Sequence, residues 1–337
     1  MSIVKIDPLV TASIYGNSAE PIAMVMEEEA EAMNRISIAK EIFVKHESDS
    51  FAEAFTGIDG IGDFENVGEA GAYPETGFSE GDKKVLTPYE WKQSIVITQT
   101  MVEDNKILDM KNMGRSLVTA SKRTREKFFA ALLGGAYKGD KVTFAGKKYD
   151  VTSKDGVSLF NSKHPTNLKN EFQSNMFTNS LDEDGLGLIE TAMENFCDKD
   201  GNLLDISPDT IIIPNIHALK KSAFAAVASE QSPNTANNAM SYQFGKWKIL
   251  VWSYLNKYIK SNDAEEMPFI VMDSNYNKNA AGAIDLERVA LNIKSGIDPK
   301  NDNNVWRGRE RYSGGFVDWK AFAIGGLKNN KDATTLA

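Results

Sequence analysis

The sequence predicts a mixed α+β protein, and three observations support that class. Apolar residues recur at three- and four-residue steps over residues 109–133, which indicates one long helix. Short runs of β-branched and aromatic residues, such as Trp91–Thr98, are typical of strands. The chain has 337 residues, of which 42% are hydrophobic and 25% charged, so it is long enough to form two or three packed units.

Composition excludes several classes of protein. The chain carries 47 acidic and 38 basic side chains, a formal charge of -9, so it has no bulk attraction to nucleic acid. A single cysteine, Cys197, excludes an intrachain disulfide, and three histidines offer few metal ligands. Residues 1–10 contain no basic region followed by an apolar run, and no 18 consecutive residues are apolar, so we expect no membrane partner and an aqueous, reducing compartment.

Acidic residues and glycines are concentrated in the first third of the chain. Residues 1–104 hold 20 acidic and 7 basic side chains. Residues 51–90 contain seven glycines and nine of those acids, and few aliphatic side chains. Such a stretch buries too little apolar surface to offset its own ordering entropy. Because it also contains Phe64, Tyr73 and Phe78, we expect a long loop or hairpin that becomes ordered against a partner.

Capping residues, glycines and the spacing of apolar residues predict the other helices and strands. Ser18 and a following proline indicate a helix at Pro21–Asn34, and Gly134-Gly135 are expected to end the long helix of 109–133. Helices and strands then alternate. The predicted helices are Leu186–Phe196 and Ala218–Ser229, and the predicted strands are Ile211–Ile213, Trp247–Trp252, Phe269–Asp273, Val289–Ile293 and Val305–Ile324. We expect Gly314-Gly315 to break the last of these strands into a hairpin.

The search for chemical motifs favours no catalytic, cofactor-binding or metal-binding residue. Cys197 with His217 as base is the one candidate nucleophile, but Cys197 follows an apolar helix stripe, where cysteine acts as a small hydrophobe. His164 precedes a proline and is typical of a hydrogen-bonding turn residue. Residues 198–202 begin like a calcium loop but lack its glycine and its final glutamate, so we expect a turn there.

Two basic stretches have an acidic counterpart in the same chain. Residues 105–138 hold eight basic and two acidic side chains, with Arg123 among the basic ones. Arg307, Arg309 and Arg311 alternate along the last predicted strand. Either stretch could bind phosphate groups, but the acidic residues 1–104 favour ion pairing between neighbouring copies of the chain.

Three motifs and the order of the elements resemble a known family. The motifs are Ser158-Leu-Phe-Asn161 with His164-Pro165, Ser207-Pro-Asp-Thr-Ile-Ile-Ile-Pro214 before an alanine-rich helix, and Arg307-Gly-Arg-Glu-Arg-Tyr-Ser-Gly-Gly-Phe-Val-Asp-Trp319. The chain also contains an acidic arm, a glycine-rich loop and a strand that leads into a long helix. In this order, its parts resemble those of the major capsid proteins of tailed phages, which have the Hong Kong 97-type fold. The motifs look like the Mu-like branch, and the likeness extends from about residue 20 to residue 327.

The resemblance implies a division of the chain and a structural function. The implied parts are an N-terminal arm with a short helix at 1–50, an extended loop hairpin at 51–98, the spine helix of a peripheral domain at 99–139, an axial α/β domain at 140–290, returning peripheral strands at 291–327 and a tail at 328–337. Copies would form hexamers and pentamers of an icosahedral shell that encloses packaged double-stranded DNA. The protein would not be an enzyme, would need no cofactor, and would be assembled into the virion capsid in the host cytoplasm.

The resemblance also implies partners and candidate interface residues. The main partner would be other copies of the chain. Scaffold, portal and decoration proteins would be further partners, and the chain would make nonspecific contacts with packaged DNA. Only a short stretch precedes the first predicted helix, so we expect a separate scaffold or none. Some relatives cross-link a loop lysine to a neighbouring subunit, and Lys83 and Lys84 lie in that stretch. The interface candidates are Phe64, Tyr73, Phe78, Lys83, Lys84, Arg123, Arg307, Arg309 and Arg311. Two alternatives stay open, an encapsulin-like compartment shell and a cysteine hydrolase.

Overall fold

The computed structural model describes residues 5–7, 16–58, 66, 80–104, 106–166, 172–198, 201–228, 241–259, 267–328 and 330–336. The helices in these ranges are α1 (Gly16–Ile36), α2 (Ala39–Ile42), α3 (Gln99–Glu103), α4 (Ile107–Gly135), α5 (Glu183–Glu194), α6 (His217–Val227) and α7 (Ser274–Asn279). The strands are β1 (Lys5–Asp7), β2 (Val44–Glu47), β3 (Glu53–Ile58), β4 (Glu80–Leu86), β5 (Tyr89–Ile97), β6 (Lys141–Phe144), β7 (Lys147–Asp150), β8 (His164–Pro165), β9 (Phe172–Gln173), β10 (Thr210–Pro214), β11 (Lys248–Trp252), β12 (Phe269–Met272), β13 (Ala283–Ile297), β14 (Asn304–Phe316) and β15 (Phe322–Gly325). The mixture of elements confirms the predicted α+β class.

The chain folds into two compact units, each built from three separate segments. Unit 1 contains residues 1–53, 86–129 and 284–314, and unit 2 contains residues 54–85, 130–283 and 315–337. The sequence predicted consecutive segments instead. The assignment of those segments as arm, extended loop, spine, axial domain and tail stays a prediction.

Unit 1 is a sheet with helices on one face. Its strand order is β1-β13-β14-β5, and β2 also pairs with β13. β14 and β5 are antiparallel over nine residue pairs, from Asn304 opposite Ile97 to Tyr312 opposite Tyr89. The core between the helices and the sheet contains Ile22, Met26 and Ala30 from α1, Met110, Leu117 and Val118 from α4, and Ile97, Leu291, Ile293 and Trp306 from the sheet.

Two helices, α1 and α4, are longer than the sequence predicted. α1 begins at Gly16, so Pro21 lies inside the helix and the predicted cap at Ser18 is wrong. α4 begins at Ile107 and includes both terminal glycines, although the predicted end of the helix was nearly right. No helix in the described ranges combines the length and apolar character that a bilayer crossing needs.

Unit 2 contains a second, four-stranded sheet in the order β11-β10-β12-β15. β10 is parallel to β11 and antiparallel to β12, and β12 is antiparallel to β15. All five residues of β10 are buried, as the apolar run Ile211–Ile213 predicted.

The predicted hairpin at Gly314-Gly315 is wrong. β14 continues through both glycines to Phe316, and neither glycine has a positive φ. The chain turns instead at Asp318, whose carboxylate accepts a hydrogen bond from the backbone N–H of Lys320. A glycine pair permits a turn but does not require one, and here the pair lies in the buried part of a strand.

Candidate assembly surface

The open face of the unit 1 sheet carries the predicted arginines. Along β14, Trp306, Gly308, Glu310 and Tyr312 are buried, whereas Arg307 and Arg309 are exposed and Arg311 is half-buried. Successive side chains of a strand point to opposite faces. The three arginines therefore share the face of the sheet that points away from α4.

β5 adds a lysine and a glutamate to this face. Lys92 lies opposite Arg309, and Glu90 lies opposite Arg311. The Glu90 carboxylate accepts hydrogen bonds from Lys92 Nζ at 2.9 Å and from Arg309 Nε at 2.6 Å. The two hydrogen bonds hold the pKa of Glu90 below its ordinary value, and the bond from Lys92 has the larger effect. One acid thus bridges two cations on an exposed strand pair, and the face keeps an excess of positive charge.

A cavity of about 660 Å³ opens on this face, and we call it the basic cavity. Its charged lining residues are Lys92, Lys294, Arg307 and Arg309, with no acidic residue among those that line it. Asn292 also lines it, and the Asn292 Oδ1 atom is buried without a hydrogen-bond partner in the described structure. Such a surface attracts carboxylate or phosphate groups.

A second cavity of about 280 Å³ lies on the other face of β5, beside α4, and we call it the inner cavity. Its lining is largely apolar or uncharged and includes Trp91, Leu117, Ala120 and Leu291, while Arg123 and Glu310 are among its charged members. Both cavities are lined by Lys92, Gln93 and Gly308. β5 is therefore flanked by a cavity on each of its faces.

Two of the predicted basic residues of α4 point into unit 1 instead of outward. Arg125 Nη2 lies 2.5 Å from Asp285 Oδ2, and Arg125 Nη1 lies 2.8 Å from Glu287 Oε2. Its guanidinium group also stacks 4.6 Å above the Tyr312 ring. Burial opposes the charge of Glu287, but Arg125 and Lys45 outweigh it and lower the Glu287 pKa to about 2. This cluster ties α4 to β13 and contributes to the fold, not to the surface.

Lys122 is the second inward residue of α4. It is 9% exposed, and burial, with Arg125 next in effect, lowers its pKa to about 8. Arg123, in contrast, is exposed at the mouth of the inner cavity. The predicted basic face of α4 is thus divided between a buried ionic cluster and a smaller exposed surface.

The two candidate lysines of β4 differ in environment. Lys83 is exposed. Lys84 is 5% exposed, and its Nζ donates to Asp150 Oδ2 and to Thr152 Oγ1, each at 2.7 Å. Burial raises the Asp150 pKa, but the hydrogen bond from Lys84 and those from Thr152 leave it lowered. Lys84 therefore makes contacts within its own unit, and Lys83 stays a candidate interface residue. Phe64, Tyr73 and Phe78 lie outside the described residues.

The residues that suggested catalysis or metal binding make structural contacts. The Cys197 backbone N–H donates to Gln173 Oε1 at 2.9 Å, and the described contacts include no hydrogen bond between Cys197 and His217. Asp198 accepts from the backbone N–H of Asn202 at 2.9 Å, whereas residues 199–200 of the predicted turn lie outside the described residues.

His164 is a buried hydrogen-bonding residue. Its Nδ1 lies 2.6 Å from Asp155 Oδ2, and its ring stacks on Trp319 with centroids 3.9 Å apart. The side chain is fully buried, so it is part of the core of unit 2. The hydrogen bond confirms one part of the prediction, but the predicted turn is wrong, because His164 lies in strand β8 opposite Gln173 of β9.

Sequence reasoning missed several residues of the candidate surface. Lys92 and Lys294 received no role, although each lies at an exposed position of a strand. The alternation of Glu90 and Lys92 with the aromatic residues Tyr89 and Trp91 was the available signal for β5. The pairing of Arg125 with Asp285 had no signal, because the two residues lie far apart in the sequence.

Comparison of the sequence with known protein families gives a match over most of the chain. A family described as phage capsid protein matches residues 82–325, which is well over half of the chain. No curated protein matches the sequence. The family match does not distinguish the Mu-like branch, which stays a prediction.

Three similar solved structures come from a virus-like particle and from two phages. A virus-like particle from Pyrococcus furiosus is 11% identical, with 90% of this chain and 98% of that chain covered and a TM-score of 0.46. The mature capsid of bacteriophage PhiM1 is 11% identical, with coverages of 87% and 88% and a TM-score of 0.48. Mycobacterium phage Patience is 14% identical, with coverages of 99% and 95% and a TM-score of 0.43. Since these TM-scores are below 0.5, the assignment of the chain rests on the family match.

Proposed function

This chain belongs to the phage capsid protein family, and we propose that its copies assemble as hexamers and pentamers of an icosahedral phage head. The head encloses packaged double-stranded DNA and is assembled in the host cytoplasm. The subunit acts as a building block and not as an enzyme. Scaffold, portal and decoration proteins are its further partners.

One observation carries the proposal, the pairing of a basic surface with an acidic segment in the same chain. The open face of the unit 1 sheet presents Lys92, Lys294, Arg307, Arg309 and Arg311. Residues 59–79 contain five acidic and no basic side chains. Opposite charges on two surfaces of one chain favour contacts between copies, and they fix the register of those contacts.

Repetition makes such contacts sufficient for a stable shell. A contact between two different surfaces of the same chain is heterologous, so it forms rings when the rotation closes. Each subunit in a ring then makes the contact twice, once with each surface. Many contacts of moderate strength act together through multivalency.

Sedimentation and electron microscopy test the proposal. We expect the purified chain to form particles of megadalton size with icosahedral symmetry. A chain in which a glycine-serine linker replaces residues 59–79 should stay folded by circular dichroism but remain as small oligomers. The matched control keeps the length of the segment and changes only Asp59, Asp63, Glu65, Glu69 and Glu75 to their amides; it should also fail to assemble if charge is the cause.

Two results would contradict the proposal. The first is a purified chain that sediments as a monomer under conditions in which it is folded. The second is closed shells from the linker variant, which would mean that residues 59–79 are not needed for assembly. The ratio of absorbance at 260 and 280 nm, with mass spectrometry of the particles, separates enclosed nucleic acid from enclosed protein cargo.

A further inference from the structure

We propose that the basic cavity of an unassembled subunit binds the phosphodiester backbone of a nucleic acid. Bound nucleic acid occupies the face of the sheet that the proposed contact between copies covers later, so it delays the entry of the subunit into a shell. The delay rests on the proposed function, whereas the binding of phosphate groups requires only a single folded subunit.

The basic cavity lies over β14, on the open face of the unit 1 sheet. Its four cations come from β14 and from the two strands beside it, and they are Arg307, Arg309, Lys92 and Lys294. Neighbouring strands lie about 4.8 Å apart, so a group of cations from three strands is about 10 Å wide, and alternate residues of one strand lie about 6.6 Å apart. A ligand with several linked anionic groups therefore contacts more of these cations than a single carboxylate does.

Part of the positive charge at this cavity is already compensated. Glu90 accepts hydrogen bonds from Lys92 and Arg309, although it is not among the residues that line the cavity. Arg307 and Lys294 are exposed, and the described contacts include no ion pair of either side chain. An anionic ligand can therefore bind Arg307 without displacing a described ion pair.

The lining of the basic cavity favours a polyanion over a protein partner. Among the described residues that line it, Val289 has the one apolar side chain and none is aromatic. Interfaces between proteins gain most of their affinity from buried aromatic and other large anchors, and charged residues are depleted at their centres. Nonspecific binding of nucleic acid depends instead on phosphate groups that lysine and arginine neutralise, with release of counterions.

The chemistry of the cations and of the lining also indicates which part of a nucleic acid is bound. An arginine guanidinium group can donate two parallel hydrogen bonds to one phosphate group. Bases that are bound by stacking need aromatic side chains, and the described lining offers none. We therefore expect contact with the backbone and no preference for a base sequence.

Nucleic acid and a neighbouring copy gain binding strength in different ways. The carboxylates of a neighbouring copy act through contacts that are repeated around a closed ring. A free subunit lacks this repetition, whereas duplex DNA carries one negative charge per about 1.7 Å of helix axis. Nucleic acid therefore has the advantage before a ring closes, and the closed ring has the advantage afterwards. The net charge of -9 opposes the binding of any polyanion, so we expect weak binding at low salt.

Fluorescence anisotropy of a short labelled DNA duplex, titrated with unassembled subunits of the full chain, tests the binding step. Arg307→Gln with Lys92→Gln should lower the affinity at least fivefold at about 50 mM salt, and should reduce the slope of log K against log salt by about 2. The matched control is Arg115→Gln with Lys127→Gln, which removes one arginine and one lysine from exposed positions of α4 and should change neither quantity. Light scattering checks that the subunits stay unassembled, and circular dichroism checks that each variant is folded.

Three results would overturn the phosphate site. The first is an unsubstituted subunit that does not bind the duplex at about 50 mM salt. The second is a loss of affinity from the control pair that equals the loss from the pair in the basic cavity. The third is tighter binding of polyglutamate than of a duplex with the same charge, which would assign the cavity to an acidic protein partner.

Light scattering during assembly measures the delay separately. Duplex added to unassembled subunits should lower the initial rate of assembly at least fivefold. The same amount added to finished shells should leave them intact, and the shells should bind at least fivefold less duplex per subunit than free subunits do. An unchanged rate, or equal binding by shells and free subunits, would show that nucleic acid does not compete for this face.

Electron microscopy of mixtures with and without duplex separates the two levels of failure. If no shells form without duplex, the proposed function fails and the delay fails with it, while anisotropy alone decides the phosphate site. If shells form at the same rate with and without duplex, the proposed function stands and only the delay is wrong.

Discussion

Lys122 lies on α4 with its ammonium group inside unit 1, where burial lowers its pKa to about 8. Below pH 8 the native and unfolded chains both carry the proton, so the native state bears the full cost of a buried charge. Between pH 8 and the ordinary value of 10.5, only the unfolded chain keeps the proton, and native stability rises with pH.

We therefore expect Lys122→Met to raise the free energy of unfolding by roughly 2–3 kcal/mol at pH 7. The gain should shrink as the pH rises from 8 towards 10.5. Urea denaturation of unassembled subunits across this range measures it. Lys127→Met, at an exposed position of the same helix, is the control and should change little. A gain that does not vary with pH would mean that added apolar packing, and not the buried charge, is responsible.

The cations of α4 show what the sequence could predict at the level of residues. The net charge of residues 105–138 correctly indicated a basic helix, but not which side chains turn inward. Arg125 is buried because Asp285 and Glu287 face it from a distant part of the sequence. A local pattern contains no information about such a partner, so one sequence could not separate Arg125 from the exposed Arg123.

At the level of elements, α1 and α4 meet at a glycine. A Cβ atom added to Gly114 would lie 2.9 Å from Met26 Cε and 3.1 Å from Ile22 Cγ2. Both distances are shorter than normal packing allows, so the absence of a side chain lets α1 approach α4 closely.

We expect Gly114→Leu to lower the free energy of unfolding by about 1–3 kcal/mol through overpacking of this contact. Met26→Ala alone should cost about 2–5 kcal/mol, because it leaves a cavity. The two changes together should cost less than their sum, since the leucine fills the space that Met26 leaves. Chemical denaturation of the four chains of this cycle gives the coupling. Strict additivity would show that the two sites do not share this packing.

The strands show where periodicity predicts structure and where it does not. Arg307, Arg309 and Arg311 occupy alternate positions of the last predicted strand, and the structure places them on one face. The predicted break in the same strand was wrong, because Gly314-Gly315 is a sequence typical of turns but lies in the buried part of β14. Side-chain alternation reports a face directly, whereas a turn also depends on which residues surround it.

At the level of the whole molecule, charge is unevenly divided between the acidic segment 59–79 and the basic face of unit 1. Salt screens such pairs, because the Debye length falls from about 10 Å at 0.1 M to about 3 Å at 1 M. We expect assembly to be roughly tenfold slower at 1 M than at 0.1 M sodium chloride.

Light scattering of refolded subunits measures this rate. The chain with the five acids of 59–79 changed to amides is the control, and its weak association should respond less to salt. Faster assembly at high salt would indicate that apolar contacts govern the rate.

The sequence predicted the charge asymmetry of the molecule, but not the two cavities, because the residues that line each of them come from separate segments of the chain.

The central strands of unit 1, β13 and β14, come late in the chain, while β5 and the helices that cover the sheet come earlier. A ribosome therefore synthesises α1, β5, α4 and most of unit 2 before the middle of this sheet exists. Chains released early lack the strands that join β1 to β5, so a truncated product cannot complete unit 1. We therefore expect that a chain released before β14 cannot form the open face of unit 1, which carries Arg307, Arg309 and Arg311.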